Sequence, residues 1–268
     1  MTTRPLSFIL VGALGGCTPA AEAPTEFGDL SLFTFSEFES AEDDYLGAAL
    51  INYEVSARSL FDLDGDRGDR TTAQPILYPD DWGNAVGPEG VDPEAQIAIT
   101  LARVSDHPVQ THASAVLLPD QSPLEPSAPE HDRSYASDTD CWAAAECGRI
   151  DTENTIRKSN ILYTIVYDTE KDFRRLTLPD GRDAMVARTW NDEVAMGENG
   201  VNSIDQNYAA EVFIETPDDS SRTLRMMSIW VSSTLSGNPD VSVQEGVLRV
   251  GLDDLFKRHD EVHSGESD

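Results

Sequence analysis

Apolar residues recur along the chain at two different spacings, and each spacing predicts its own kind of element. Leu46, Leu50, Tyr53, Ala57 and Leu60 follow at three- and four-residue steps, which is one face of an amphipathic helix. Ser40 stands before Ala41-Glu42-Asp43-Asp44 as an N-cap with acids in the first turn, and the helix runs to about Phe61. Asp106-His107-Pro108 opens a second helix, whose apolar face is Val109, Ala113, Val116 and Leu117 before Pro119. Val243, Val247, Val250, Leu252, Leu255 and Phe256 mark a third helix over Val241 to His259, in which Gly246 and Gly251 lower the intrinsic propensity. Glu261 to Asp268 reads as a polar, solvated tail.

Alternation in the first two cases, and short apolar runs bounded by turn signals in the others, predict strands elsewhere. They are Leu30 to Phe35, Ile97 to about Val104, Ile161 to Tyr167, a shorter strand near Arg175 to Leu178, Asp183 to Trp190, Tyr208 to Ile214, and Thr223 to Val231. Pro179-Asp180-Gly181 and Pro217-Asp218-Asp219-Ser220 are turn signals between neighbouring strands, so an antiparallel meander follows. Asp62 to Asp69 breaks the first helix, Gln74 to Asp92 reads as loop, and Asp120 to Asp140 as a long surface excursion.

From Gln96 onward the order is therefore strand, helix, excursion, antiparallel meander and long C-terminal helix. This α+β order resembles the helix-grip fold of START and related SRPBCC domains, and Tyr163 to Trp190 (YTIVYDTEKDFRRLTLPDGRDAMVARTW) is similar to the paired central strands of that family. The resemblance covers about the last two thirds of the chain and is one of element order, without a specific motif. It implies a curved antiparallel sheet wrapped around the last helix, with room for a hydrophobic or amphipathic small ligand. A β-sandwich with peripheral helices is the alternative that the same strands allow.

The first twenty residues carry a different signal. Arg4 precedes the apolar run Leu6 to Leu14, which is short for a membrane span, and small residues follow it. Leu14-Gly15-Gly16-Cys17 resembles the lipobox of bacterial lipoproteins. That resemblance implies cleavage before Cys17, a diacylglyceryl group on its thiol and an acylated, palmitate-type amino end. Each buried methylene contributes about 0.8 kcal/mol, so several acyl chains hold a protein on a membrane permanently. Thr18 in place of Asp implies sorting to the outer membrane of the cell envelope. The expected organisation is a signal peptide over 1–16, a Pro/Ala-rich tether over 17–26, and one acidic globular domain over 27–268 with its core in 95–260.

Charge narrows the partners. The 268-residue chain holds 49 acids against 19 Lys and Arg, a net charge of −30, with 39% hydrophobic residues. A core is therefore available, whereas phosphate-backbone binding needs clustered Lys and Arg, so no nucleic acid is expected. The same charge opposes lying flat on an anionic bilayer, leaving the lipid on Cys17 as the membrane contact. Of three cysteines, Cys141 and Cys147 then remain as a pair, read as a structural disulfide in an oxidising compartment. Six helical residues rise about 9 Å, beyond what a disulfide spans, so Trp142 to Glu146 must turn back.

Candidate chemistry is sparse. Asp62, Asp64 and Asp66 alternate as calcium ligands do, although Arg67 and Ala73 stand where an EF-hand needs Gly and Glu. The string is read either as a simple Asp-rich calcium loop or as a plain acidic turn, and no other cofactor is expected. His259 and His263 share a helix face, yet their acidic surroundings suggest a fraying, solvated terminus; His107 and His112 are five apart and do not line up on a helix. No G-x-S-x-G elbow is present, and chance carboxylate pairs are unavoidable among so many acids. Trp142, Trp190 and Trp230, with Tyr163, Tyr167 and Phe213, are read as core. The expectation is a non-enzymatic, envelope-tethered protein that binds a hydrophobic or amphipathic ligand. A structural or interaction lipoprotein, whose partner is another envelope protein, is the alternative.

Overall fold

The computed structural model describes residues 23–63, 70–159, 164–237 and 239–265. The lipobox with Cys17, and Asp64, Asp66 and Tyr163, lie outside them. Two helices open the described chain, α1 (Phe27–Ser36) and α2 (Asp43–Leu60). Then come β1 (Thr71–Ala73), β2 (Ile97–Ser105), α3 (Val109–Ala115), β3 (Glu130–Tyr135), α4 (Thr139–Ala143) and β4 (Arg149–Ser159). The meander follows as β5 (Thr164–Thr177), β6 (Asp183–Trp190), β7 (Ala195–Met196), β8 (Ser203–Thr216) and β9 (Asp219–Thr234), and α5 (Val241–Ser264) ends it.

All described strands join one antiparallel, curved sheet in the order β1-β2-β9-β8-β6-β5-β4-β3, with β7 on β8. The fold is thus α+β and helix-grip-like, and the described residues form no second sheet, as the sandwich alternative would require. Short turns dictate the order. Thr216 pairs with Asp219 across Pro217-Asp218, and Gly181 at φ 89° closes the β5–β6 turn. β2 reaches β9 antiparallel over nine residues, from Ile97↔Val231 to Ser105↔Thr223, which brings the end of the chain back over the first long strand.

Side-chain alternation sorts the core into two layers, one on each face of the sheet. Ala102, Val186, Val212, Leu224 and Met226 face α1 and α2, where they meet Leu30, Leu46 and Leu50. Their neighbours one residue away face the other side. Ile99, Leu101, Ala209 and Ile229 pack on Leu252 and Phe256 of α5, while Phe173, Met185 and Phe213 pack with Val109, Ala113 and Trp142. A sheet covered on both faces reads as continuous apolar sequence, and Ala184-Met185-Val186-Ala187 is buried throughout. The first layer is clamped by Arg174, which donates to the carbonyls of Phe38 and Ala41 (both 2.7 Å).

Several expectations need correction. Leu30 to Phe35 is helix within α1, not strand. In a short apolar run both periods fit, and here packing on α2 selects the helix. Ser31 and Thr34 donate their hydroxyls back to the carbonyls of Gly28 and Leu30, which removes their objection to that state. Glu42, not Ser40, is the N-cap of α2. The excursion Asp120 to Asp140 contains the edge strand β3, paired with β4 from Glu130↔Arg157 to Tyr135↔Thr152. β4 itself escapes an apolar pattern because two of its inward positions are the buried polar residues Thr152 and Asn154. The shorter strand near Arg175 is the end of β5, which runs unbroken from Thr164. The C-terminal tail begins later than expected, since α5 continues to Ser264.

Candidate functional site

α5 seals only part of the face that it covers. Its buried side chains are Leu252 and Phe256, one turn apart in the middle of the helix. Along Val247 to His259 a cavity of about 400 Å³ opens between the sheet, α3, the loop after Gln121 and the helix. Phe173, Met185, Phe213, Met227 and Ile229 supply an apolar floor, and Leu248, Leu252 and Leu255 supply the roof. Inward positions of six strands, β3, β4, β5, β6, β8 and β9, converge here because curvature of the sheet brings its far edge round toward α5.

One wall is polar. Glu125 lies between Lys158 (3.2 Å) and His131 (3.0 Å), and the other ring nitrogen of His131 is 3.2 Å from Asn154 Oδ1. Arg133 donates to the same Asn154 oxygen (2.8 Å) and to the carbonyl of Val116 (3.1 Å), with Phe173 5.3 Å from its guanidinium carbon. Lys171 pairs with Glu211 across the floor. Burial pushes the Glu125 carboxyl up, but Lys158 and His131 outweigh it and hold it far below the usual carboxylate range. Burial lowers Arg133 to about 10. Thr169 contributes a buried hydroxyl with no protein partner among the described residues.

The other end is built from histidine. Four of the five histidines in the chain converge there, although their positions span more than 150 residues. His112 comes from α3, His259 and His263 from consecutive turns of α5, and His107 from the approach to α3. The His112 and His263 ring centres are 5.1 Å apart, those of His107 and His263 are 5.4 Å apart, and those of His259 and His263 are 6.0 Å apart. His112 and His259 line the cavity. Behind them Arg225 is buried, its guanidinium carbon 4.2 Å from the Phe256 ring centre and 5.2 Å from that of Phe213. Burial, followed by the Arg225 charge, holds His112 and His259 well below the ordinary histidine value. Burial and then His107 lower His263 to about 4. All three are therefore neutral imidazoles at pH 7.

This arrangement overturns the reading of His259 and His263 as a fraying, solvated terminus. The last turns of α5 are docked: Ser105 donates to Asp260 (2.6 Å), and His107 Nε2 lies 3.2 Å from both the Asp260 carbonyl and the Ser264 hydroxyl. His107 and His112 do not share a helix, as expected, yet they meet around His263. Trp142, Trp190 and Trp230 are core, as are Tyr167 and Phe213, which also line the cavity. Cys141 and Cys147 are joined by a disulfide with Cα atoms 5.3 Å apart, the chain turning back at Ala145 (φ 57°). Neither cysteine lines the cavity. Asp62 is exposed just after α2, and its companions Asp64 and Asp66 lie outside the described residues. The polar wall had one visible trace in the sequence: charged residues at Arg133, Lys171 and Glu211, on the inward parity of their strands.

The sequence matches no known family profile and no curated protein. Solved structures similar in backbone include a STAR-related lipid transfer protein from Xanthomonas axonopodis, at 10% identity and a TM-score of 0.48, covering 76% of this chain and 98% of that one. A protein from Thermus thermophilus shows 14% identity and a TM-score of 0.42, covering 63% and 98%. An aromatase/cyclase from Streptomyces shows 8% and 0.39, covering 64% and 93%. No described helix is long and apolar enough to cross a membrane.

Proposed function

We propose that this protein is a non-enzymatic binding protein, which takes a hydrophobic or amphipathic small molecule into the space beneath α5. The observation that carries the reading is the cavity itself. Its size of about 400 Å³ falls within the roughly 300–1,000 Å³ typical of small-molecule sites. Its walls also divide as such a ligand requires, with an apolar floor and roof for a tail and convergent Arg133, Lys171 and Thr169 for a polar end. Burying the tail supplies the affinity at about 25 cal/mol per Å², while the fixed polar groups set its orientation.

Ala209 lies on the floor with its small side chain under the roof of α5. A titration with an environment-sensitive apolar dye is expected to saturate at one site in the wild-type protein. The same titration of Ala209→Phe is expected to weaken at least tenfold, with the melting temperature held within a few degrees. Equal affinity in the two proteins contradicts cavity binding.

The lipobox resemblance at Cys17 supports placement of the protein at the bacterial cell envelope, anchored by lipid. Expressed in a Gram-negative host, the wild-type chain is expected in the membrane fraction and Cys17→Ser in the soluble fraction. Equal distribution of the two removes the anchor from the account.

A further inference from the structure

Three of the converging histidines offer more than a polar patch. One ring nitrogen from each of His112, His259 and His263 lies within 4.8 Å of the others. Each of the three rings also carries a buried nitrogen without a hydrogen-bond partner among the described residues: Nδ1 and Nε2 of His112, Nδ1 of His259 and Nε2 of His263. A neutral imidazole always holds one bare lone pair and one N–H. A buried ring satisfied at neither nitrogen, as His112 is at 3% exposure, is a loss that folded proteins rarely tolerate. Three such rings in one place share a single remedy, a ligand that accepts several imidazole lone pairs at once.

We propose that His112, His259 and His263 form a binding site for a divalent transition metal ion of the zinc class, with its open coordination position toward the cavity. The geometry is close to what the ion requires. His259 and His263 are one turn apart on the same face of α5, and α3 brings His112 against that face from the other side. Zinc–nitrogen bonds of 2.0–2.1 Å place tetrahedral ligands about 3.4 Å apart, so a small inward shift of the rings closes the site around the ion. Three neutral imidazoles suit zinc, copper or nickel and offer nothing to magnesium or calcium. Because His112 and His259 line the cavity, the position left open faces the space in which a ligand lies.

Charge is the objection to be met, since Arg225 is near enough to lower the basicity of all three rings. Two features answer it. Glu211 and Asp260 act on Arg225 with the opposite sign. Among the described residues the guanidinium also has no hydrogen-bond partner for any of its three nitrogens. It is therefore a waiting donor for an anion, such as hydroxide or a carboxylate, completing the coordination of the metal. The site does not rest on the cavity holding an apolar molecule, and it is tested without one.

The test is isothermal titration of the chelator-stripped protein with Zn²⁺, repeated with Co²⁺ while the visible absorption of the cobalt ion is followed. The wild-type protein is expected to take one ion tightly and to give the intense bands of a low-coordinate cobalt centre. His263→Ala, in the half-buried last turn of α5, is expected to fold as the wild type does and to bind the ion at least a hundredfold more weakly, without those bands. His259→Ala provides the same reading from a second ligand if the first variant loses structure. The inference is overturned if the wild-type protein takes no tight ion. It is equally overturned if folded His263→Ala and His259→Ala bind Zn²⁺ as tightly as the wild type, which would place the ion on the acidic surface. Retained dye binding in either variant leaves the cavity reading standing.

Discussion

Trp142→Ala is expected to lower the unfolding free energy by about 3–5 kcal/mol, the range for truncating a large aromatic in a packed core. Trp142 is completely buried, and its ring lies under the Arg175 guanidinium at 3.8 Å and beside Phe173 at 6.4 Å. Its indole N–H donates to the carbonyl of Ala113 (3.0 Å), which ties α3 to the segment closed by Cys141 and Cys147. The variant removes packing and leaves that carbonyl without its donor, and neither loss is recovered by collapse because α3 is held from elsewhere as well. Urea denaturation should show a lower midpoint with an unchanged slope. Trp142→Phe should fall between the two, keeping most of the packing and losing the indole donor. A cost below about 1 kcal/mol for the Ala variant contradicts this anchoring. Since His112 precedes Ala113, loosening α3 is also expected to weaken the metal site.

Glu211→Gln is the second large effect, and its size depends on pH. Glu211 and Lys171 pair inside the cavity with side chains only 8% and 18% exposed. Burial pushes the Glu211 carboxyl up, but Lys171, then Arg225 and Arg133, outweigh it and hold the group below the ordinary glutamate value. Removing the carboxylate leaves these cations facing one another in a water-poor space, and breaking such a buried pair costs about 3–5 kcal/mol. The depressed folded value fixes the sign. The stabilisation from Glu211 is fully present above the unfolded value of about 4.3, and it is lost as pH falls through the lower folded value. The gap between wild type and variant should therefore be constant near neutrality and narrow below about pH 4. Lys171→Met combined with Glu211→Leu should recover most of the loss. A gap that stays constant down to pH 2 would mean that the cost of the substitution is steric.

These effects show why the fold was more legible than the site. β6 lies where its apolar run and its Pro-Asp-Gly turn place it, residue for residue from Asp183 to Trp190. α3 and β2 are likewise set by local pattern, because each buries an apolar face that its own sequence displays. α1 was not legible, since Leu30 to Phe35 satisfies both periods and only its packing on α2 decides between them. β4 was hidden by Thr152 and Asn154, polar residues kept inside by partners on β3 and β5. The site is composed of such long-range relations. Lys171 and Glu211 are 40 residues apart, and the helical pair His259–His263 gains meaning only when β2 and α3 bring His112 and His107 to it. A pair of histidines one turn apart was visible; the rings that complete the group were not, because a fold and not a spacing brings them together.

The space beneath α5 is proposed as a binding cavity. Native mass spectrometry of the chain without residues 1–20, mixed with a long-chain fatty acid, tests it most directly. The prediction is a one-to-one adduct that survives desolvation in the wild-type protein and is absent from Ala209→Phe. Adducts of equal intensity in the two proteins, or none in either, would contradict it.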